Sequence, residues 1–172
     1  MSAPVRHIVV MGVSGCGKST TGAALAARLG WDLIEGDSFH PPANVAKMKA
    51  GHPLDDEDRR PWLEALAAEI AAHDAAGRHA VLCCSALRRS YRDILRRGAP
   101  GVWFVHVHGP RELLAERLGA REGHFFPPAL LQSQLETLEP LGPDEDGAVI
   151  DLALPVDRQV DEILRRLGLP PA

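Results

Sequence analysis

The sequence is short of the features that mark several large classes of protein. It holds three cysteines in 172 residues, an odd number, and Cys83 and Cys84 are adjacent. That is no disulfide framework; it fits a reducing compartment, so a cytoplasmic location is the expectation. No apolar run approaches the roughly 18 residues that a membrane-spanning helix needs, and no membrane partner is expected. Residues 1–12 are apolar but lack a small-residue cleavage site and run straight into a glycine motif, so they read as a first strand and not as a signal peptide. Basic residues are not in excess. Lys and Arg number 19 against 23 Asp and Glu, a net charge of −4, which argues against nucleic acid as a partner but not against a local anion site. Internal repeats and low-complexity linkers are absent too. What is there is ordinary for a globular protein: 45% hydrophobic and 24% charged residues, in a length that suits one domain over 1–172.

Apolar runs alternate with helix-periodic segments, which predicts an α/β domain on a mainly parallel sheet. The runs at 7–13, 32–35, 79–84, 102–107 and 148–152 are mostly continuous, as strands covered on both faces require. Helices are expected at 18–29, stopped by Gly30, and from Pro61 at the first helical position to near Gly77. Further helices are expected at 88–97, at 111–118 after Pro110, from Pro127 and Pro128 to Leu138, and at 156–167 before Gly168. Two stretches interrupt this pattern, 37–60 and 119–146. Loops of that length are usually functional, and they are read as a substrate lobe and a lid.

The most specific local signal is Gly12-Val13-Ser14-Gly15-Cys16-Gly17-Lys18-Ser19, a complete G-x-x-x-x-G-K-[ST] between an apolar run and a helical pattern. Its glycines allow a tight turn and bring backbone N–H groups close to phosphates, and the next helix aims its positive end at the same anion. Lys18 supplies a point charge between the β- and γ-phosphates, and the Ser19 hydroxyl is a ligand for Mg²⁺. ATP and Mg²⁺ are therefore the expected cofactors, bound by these eight residues together with Thr20. Cys16 reads as a small residue that fits the loop. A helix N-terminus also lowers a thiol pKa, which makes oxidation sensitivity the second reading.

Ligands of open α/β sheets bind beyond the carboxyl ends of the strands. Asp37 follows the second run. It is placed to accept a hydroxyl proton or to help hold Mg²⁺ through water; the bland alternative is an Asx-turn or cap before Pro41. After the third run, Ser85 is either a helix cap or a site residue. Arg88 and Arg92 are four apart in the first turns of a helix, where acids are favoured, and this points to a bound anion. Arg117 and Arg121 share the same spacing; on a closing lid they would neutralise a transferring phosphoryl group while water is excluded. His106 and His108 alternate onto one strand face, but nothing completes a metal site and they read as structural. Trp31, Trp62, Trp103 and Phe104 read as core or core-edge aromatics, with bordering an acceptor pocket as the second reading of Trp62. The acids at 55–58 read as a solvated loop and helix start, and those at 144–146 as a solvated turn.

Three blocks together resemble the gluconokinases. The first is Gly36-Asp37 with His40-Pro41, Asn44, Lys47-Met48, Gly51, Pro53-Leu54, Asp56, Asp58-Arg59 and Pro61-Trp62-Leu63. The second is Cys84-Ser85-Ala86-Leu87 with Tyr91-Arg92-Asp93. The third is Arg117 with Arg121, Gly123-His124-Phe125-Phe126, Leu131, Ser133-Gln134 and Glu136-Thr137-Leu138-Glu139. The resemblance covers residues 8–154; its departures are Cys16 for Ser or another small residue, Arg88 for a common Lys, and Leu135 for a common Phe. It implies ATP-dependent phosphorylation of D-gluconate at the 6-hydroxyl to 6-phospho-D-gluconate. It also implies a three-layer P-loop kinase fold, with a five-stranded parallel sheet of order 2-3-1-4-5, and a homodimer. With it, Lys18, Asp37, Arg117 and Arg121 are the expected catalytic residues.

An open-chain polyol with one carboxylate needs a guanidinium or imidazole and several short polar groups. Asp37, His40, Asn44, Lys47, Arg59, Ser85, Arg88, Arg92, His124 and Gln134 are the candidates, with Arg59 and Arg92 for the acidic end. Whether His40 or His124 touches substrate stays open. The competing readings are a shikimate-kinase-like or nucleoside monophosphate kinase, and a non-catalytic ATP-binding switch. The Asn-Lys-x-Asp sequence of guanine-reading switches does not occur.

Overall fold

The central apolar runs become strands because both of their faces are covered, while at the two edges of the sheet Leu33 and Val149 stay exposed. β1 (His7–Met11), β2 (Asp32–Glu35), β3 (Ala80–Cys83), β4 (Val102–His108) and β5 (Gly147–Asp151) form one parallel sheet in the order β2-β3-β1-β4-β5. This is the expected order. The computed structural model describes residues 4–13, 15–119 and 128–168. The expectations for Ser14, Arg121 and His124 lie outside the described residues. The helices are α1 (Lys18–Leu29), α2 (Pro42–Lys49), α3 (Asp56–Ala75), α4 (Arg89–Arg96), α5 (Arg111–Gly119), α6 (Pro128–Thr137) and α7 (Val156–Arg166). α1 packs with α7, and α3 with α4, so helices flank the sheet and Ile8, Val9, Val10 and Met11 of the central strand are wholly buried. No helix among the described residues is long and apolar enough to cross a membrane.

Strand register decides where the site forms. Val10 is level with Cys83, Cys83 with Glu35, and Met11 with His106. The loops after β1, β2 and β3 therefore leave one rim of the sheet together.

Three sequence expectations need correction. α3 begins five residues before Pro61. Asp55 accepts from the Asp58 N–H at 2.7 Å and Asp58 accepts from the Asp55 N–H at 3.0 Å, a reciprocal cap that starts the helix. Asp56, Glu57 and Asp58 then complement the helix dipole, and Pro61 forfeits only one bond near that end. Second, Ser85 does not cap α4, whose N-cap position is Arg88; the Arg89 N–H is taken instead by Glu139 Oε1 at 2.8 Å. Third, the acids at 144–146 are not simply solvated. Glu145 is buried, accepting from Arg92 Nε (2.7 Å) and Nη2 (3.0 Å), from the Gly142 N–H (2.7 Å) and from Arg96.

The latter part of the segment read as a lid is thus clamped to α4. The Glu139 N–H reaches the Leu87 carbonyl at 2.7 Å, and Arg89 forks onto Asp144 at 2.8 and 2.6 Å.

Candidate active site

The phosphate loop follows from close approach. Gly12, Gly15 and Gly17 have φ of 150°, 87° and 87°. A Cβ on Gly12 would stand 2.7 Å from Cys16 Sγ and 2.8 Å from the Val107 carbonyl oxygen, so no other residue fits there unchanged. The Gly12 N–H donates to the Ser85 carbonyl at 3.2 Å, which ties the loop to the turn after β3. Val13 and Cys16 are buried beneath the loop, in keeping with the small-residue reading of Cys16. α1 starts at Lys18 from a left-handed Gly17, with no side-chain cap on its first N–H groups and no acid in its first turn. Those donors suit an anion. Thr20 is exposed on that first turn. Arg117 of α5 comes to the same place: its Nη1 is 4.0 Å from where a Cβ on Gly17 would be.

The Ser19 hydroxyl donates to Glu35 Oε2 at 3.0 Å. Two oxygen ligands beside the phosphate loop fit Mg²⁺, a hard cation that keeps most of its waters and needs few protein groups. Glu35 is absent from the sequence-level candidates. Its place at the carboxyl end of β2 was the available signal.

The turn after β2 carries Asp37. Gly36 is obligatory, since a Cβ would meet the Cys83 carbonyl oxygen at 2.4 Å, and its own carbonyl accepts from Trp62 Nε1 at 2.7 Å. His40 stacks on Trp62 with centroids 4.0 Å apart. Burial lowers the His40 pKa; Asp37 opposes this and Arg59 reinforces it, so His40 sits between an acid and a guanidinium. Burial pushes the Cys84 thiol up to about 12, with a backbone hydrogen bond at Ala86 opposing. Asp37, Lys18 and Arg59 all act on it as well, which brings these three charges around the end of β3.

The remaining candidates divide in two. Asn44 and Lys47 are used inside the lobe: Asn44 Nδ2 donates to the Asp58 carbonyl at 2.8 Å and lies 3.3 Å from His40 Nδ1, while Lys47 Nζ pairs with Asp58 at 2.6 Å. That hydrogen bond raises the Lys47 pKa. Arg59 and Arg88 border a cavity of about 360 Å³ with Leu54, Asp55, Asp56, Glu57 and Thr137. Gln134 lies on α6. Arg59 is 8% exposed, and among the described residues its side chain makes one hydrogen bond, from Nη1 to the Tyr91 hydroxyl at 3.0 Å. No carboxylate among the described residues pairs with it.

Arg92 does not join this group, and its assignment to the acidic end of a ligand is corrected. The pairing with Arg88 assumed one helix face, but Arg88 is in extended conformation ahead of α4. Arg92 is wholly buried against Glu145 and donates its Nη1 to the Ala86 carbonyl at 2.9 Å. Ala86 has φ of 45°, uncommon for a residue with a Cβ, and this bond helps hold it.

His106 is buried and neither ring nitrogen has a partner among the described residues. Burial, helped by His108 and Arg92, lowers its pKa to about 4, and no metal-binding cluster occurs among the described residues.

A family model described as an AAA domain matches residues 8–141. The gluconokinase of Gluconobacter oxydans (strain 621H) is 48% identical over 165 residues, covering 96% of this chain and 93% of that one. The crystal structure of a gluconokinase from Sinorhizobium meliloti 1021 superposes with a TM-score of 0.87 at 48% identity, over 98% of this chain and 94% of the other. An unliganded sugar kinase from Janibacter sp. HTCC2649 gives 0.92 at 50% identity, over 98% and 97%.

Proposed function

We propose, from the premise that the chain belongs to the gluconokinase family and carries an AAA-type domain, that it transfers the γ-phosphoryl group of ATP to the 6-hydroxyl of D-gluconate, giving 6-phospho-D-gluconate and ADP. The observation that carries the reading is Arg59, a buried guanidinium with no carboxylate partner among the described residues, beside a complete phosphate loop. A buried charge left unpaired is costly, so its natural counter-charge is the carboxylate of the acceptor.

The roles follow from charge. Backbone N–H groups of Gly15 and of 17–20 cradle the phosphates, and Lys18 neutralises charge that develops on the transferring group. Arg117 adds to that neutralisation from the last turn of α5, and Arg121 from a lid at about 119–146. Within that segment, Glu139 and Glu145 are held to α4. Asp37 orients the attacking hydroxyl and accepts its proton. His40 offers a ring N–H to a substrate hydroxyl, and Arg88, Ser85, Gln134 and His124 are its proposed companions in acceptor binding. Ser19 and Glu35 would hold Mg²⁺, which when bound supplies charge neutralisation at the phosphates. A single catalytic domain acting as a homodimer in the cytoplasm completes the proposal.

The test is ADP release with Mg·ATP and a panel of acceptors: D-gluconate, related sugar acids, shikimate and nucleoside monophosphates. Release that depends on D-gluconate is expected. Turnover with another acceptor alone would discard the pocket assignment, and ATP binding without acceptor-dependent release would favour a switch.

A further inference from the structure

Arg59 is held by an unusual partner. Tyr91, on α4 and 32 positions away, offers its hydroxyl oxygen to Arg59 Nη1 at 3.0 Å, and the guanidinium carbon lies 5.4 Å from the centre of its ring. The hydroxyl proton of Tyr91 goes elsewhere, to Asp56 Oδ1. A phenol has one proton to give, so the bond to Asp56 fixes its rotation and turns a lone pair toward Arg59. The other oxygen of Asp56 faces Arg88, with Oδ2 3.5 Å from Nη1. Asp56 thus serves Tyr91 and Arg88 and does not pair with Arg59.

The chemistry of this arrangement is specific. A carboxylate in direct contact would orient Arg59 but also neutralise it, and an anionic ligand would have to displace that carboxylate. A phenol hydroxyl orients the guanidinium while leaving its charge and its other N–H donors uncommitted. Asp55, Asp56 and Glu57 border the same cavity as Arg59, but among the described residues none of the acids at the start of α3 pairs with it. Asp55 and Asp58 cap each other, and Asp58 is paired with Lys47.

We infer that Tyr91 is a positioning residue: its hydroxyl, fixed by Asp56, holds Arg59 in place without discharging it, and so sets the affinity for the acceptor's carboxylate. This rests on the proposed gluconate phosphorylation.

The experiment is a double-mutant cycle in the full-length protein. Tyr91→Phe keeps the ring and removes the hydroxyl. It is expected to raise the KM for gluconate by roughly 2- to 10-fold, the worth of one hydrogen bond. The kcat and the KM for ATP stay within about twofold, because neither the phosphate loop nor the transferring group depends on the phenol. Introduced into Arg59→Gln, the same change adds nothing, since the group it positions is gone. An unchanged gluconate KM, or an equal rise in the Arg59→Gln background, overturns the proposal. If Tyr91→Phe does not fold, Asp56→Asn is measured in the same cycle, where the same non-additive rise in KM supports the inference and an additive one overturns it. A wild-type protein inactive on gluconate overturns the activity reading and this inference with it, whereas an active wild type with an unaffected Tyr91→Phe overturns this inference alone.

Discussion

Two arginines, Arg59 and Arg92, are buried within the same helical layer, yet they have opposite surroundings. Arg92 meets Glu145 through two nitrogens and spends a third on the Ala86 carbonyl. Arg59 meets one neutral hydroxyl. Burial alone therefore does not separate a structural charge from a functional one. Pairing does, because the desolvation of Arg92 is offset within the protein, whereas that of Arg59 is offset, in the proposed function, by the ligand.

The comparison breaks most visibly at Arg92. Arg92→Ala leaves Glu145 buried with only Arg96 and a backbone N–H, and the expected loss of stability is about 3–5 kcal/mol by urea unfolding. Pairing Arg92→Met with Glu145→Leu should recover most of it. A raised gluconate KM with stability unchanged would return Arg92 to the pocket. Arg59→Ala tests the other side. It should lower kcat/KM for gluconate roughly 10- to 150-fold, as for one lost charged hydrogen bond, with an unchanged or higher melting temperature.

Acid sharpens the contrast further. For Glu145, burial alone would raise the pKa, but hydrogen bonds from Arg92, the Gly142 N–H and Arg96 outweigh it and bring the pKa down to about 2 from 4.5. Its contribution is present above pH 4.5 and is lost as the pH falls toward 2. His106 acts earlier: with a folded pKa of about 4 against 6.5, it favours unfolding increasingly as the pH drops through that range. Melting temperature against pH should fall in both windows, and His106→Phe should flatten the upper one. The smallest effect is expected at Arg89→Ala, whose fork to Asp144 is exposed and screened by water; a near-silent melting curve is the outcome.

Much of this was legible in the sequence. The phosphate loop is a contiguous string whose residue types have one common purpose, and all five strands were visible as apolar runs. α3 was misplaced because Pro61 is a strong start signal, whereas the Asp55–Asp58 reciprocal cap is built from acids that also read as a solvated loop. Arg92–Glu145 and Arg59–Tyr91 were beyond reach for a different reason. Their partners are 53 and 32 positions apart, and no periodicity links them. Glu145 in particular stands in an acidic, glycine-flanked turn whose composition describes an exposed surface, and only the topology carries it beneath α4.

The Trp62–His40 stack has an optical consequence. Trp62 is wholly buried, with its indole N–H on the Gly36 carbonyl next to Asp37 and its ring face against an imidazole. Trp31 is stacked instead on His79, which precedes β3 at the opposite end of the sheet. The chain therefore carries one fluorophore beside the proposed acceptor pocket and two, Trp31 and Trp103, away from it, so a change in emission that is lost in Trp62→Phe reports on that pocket.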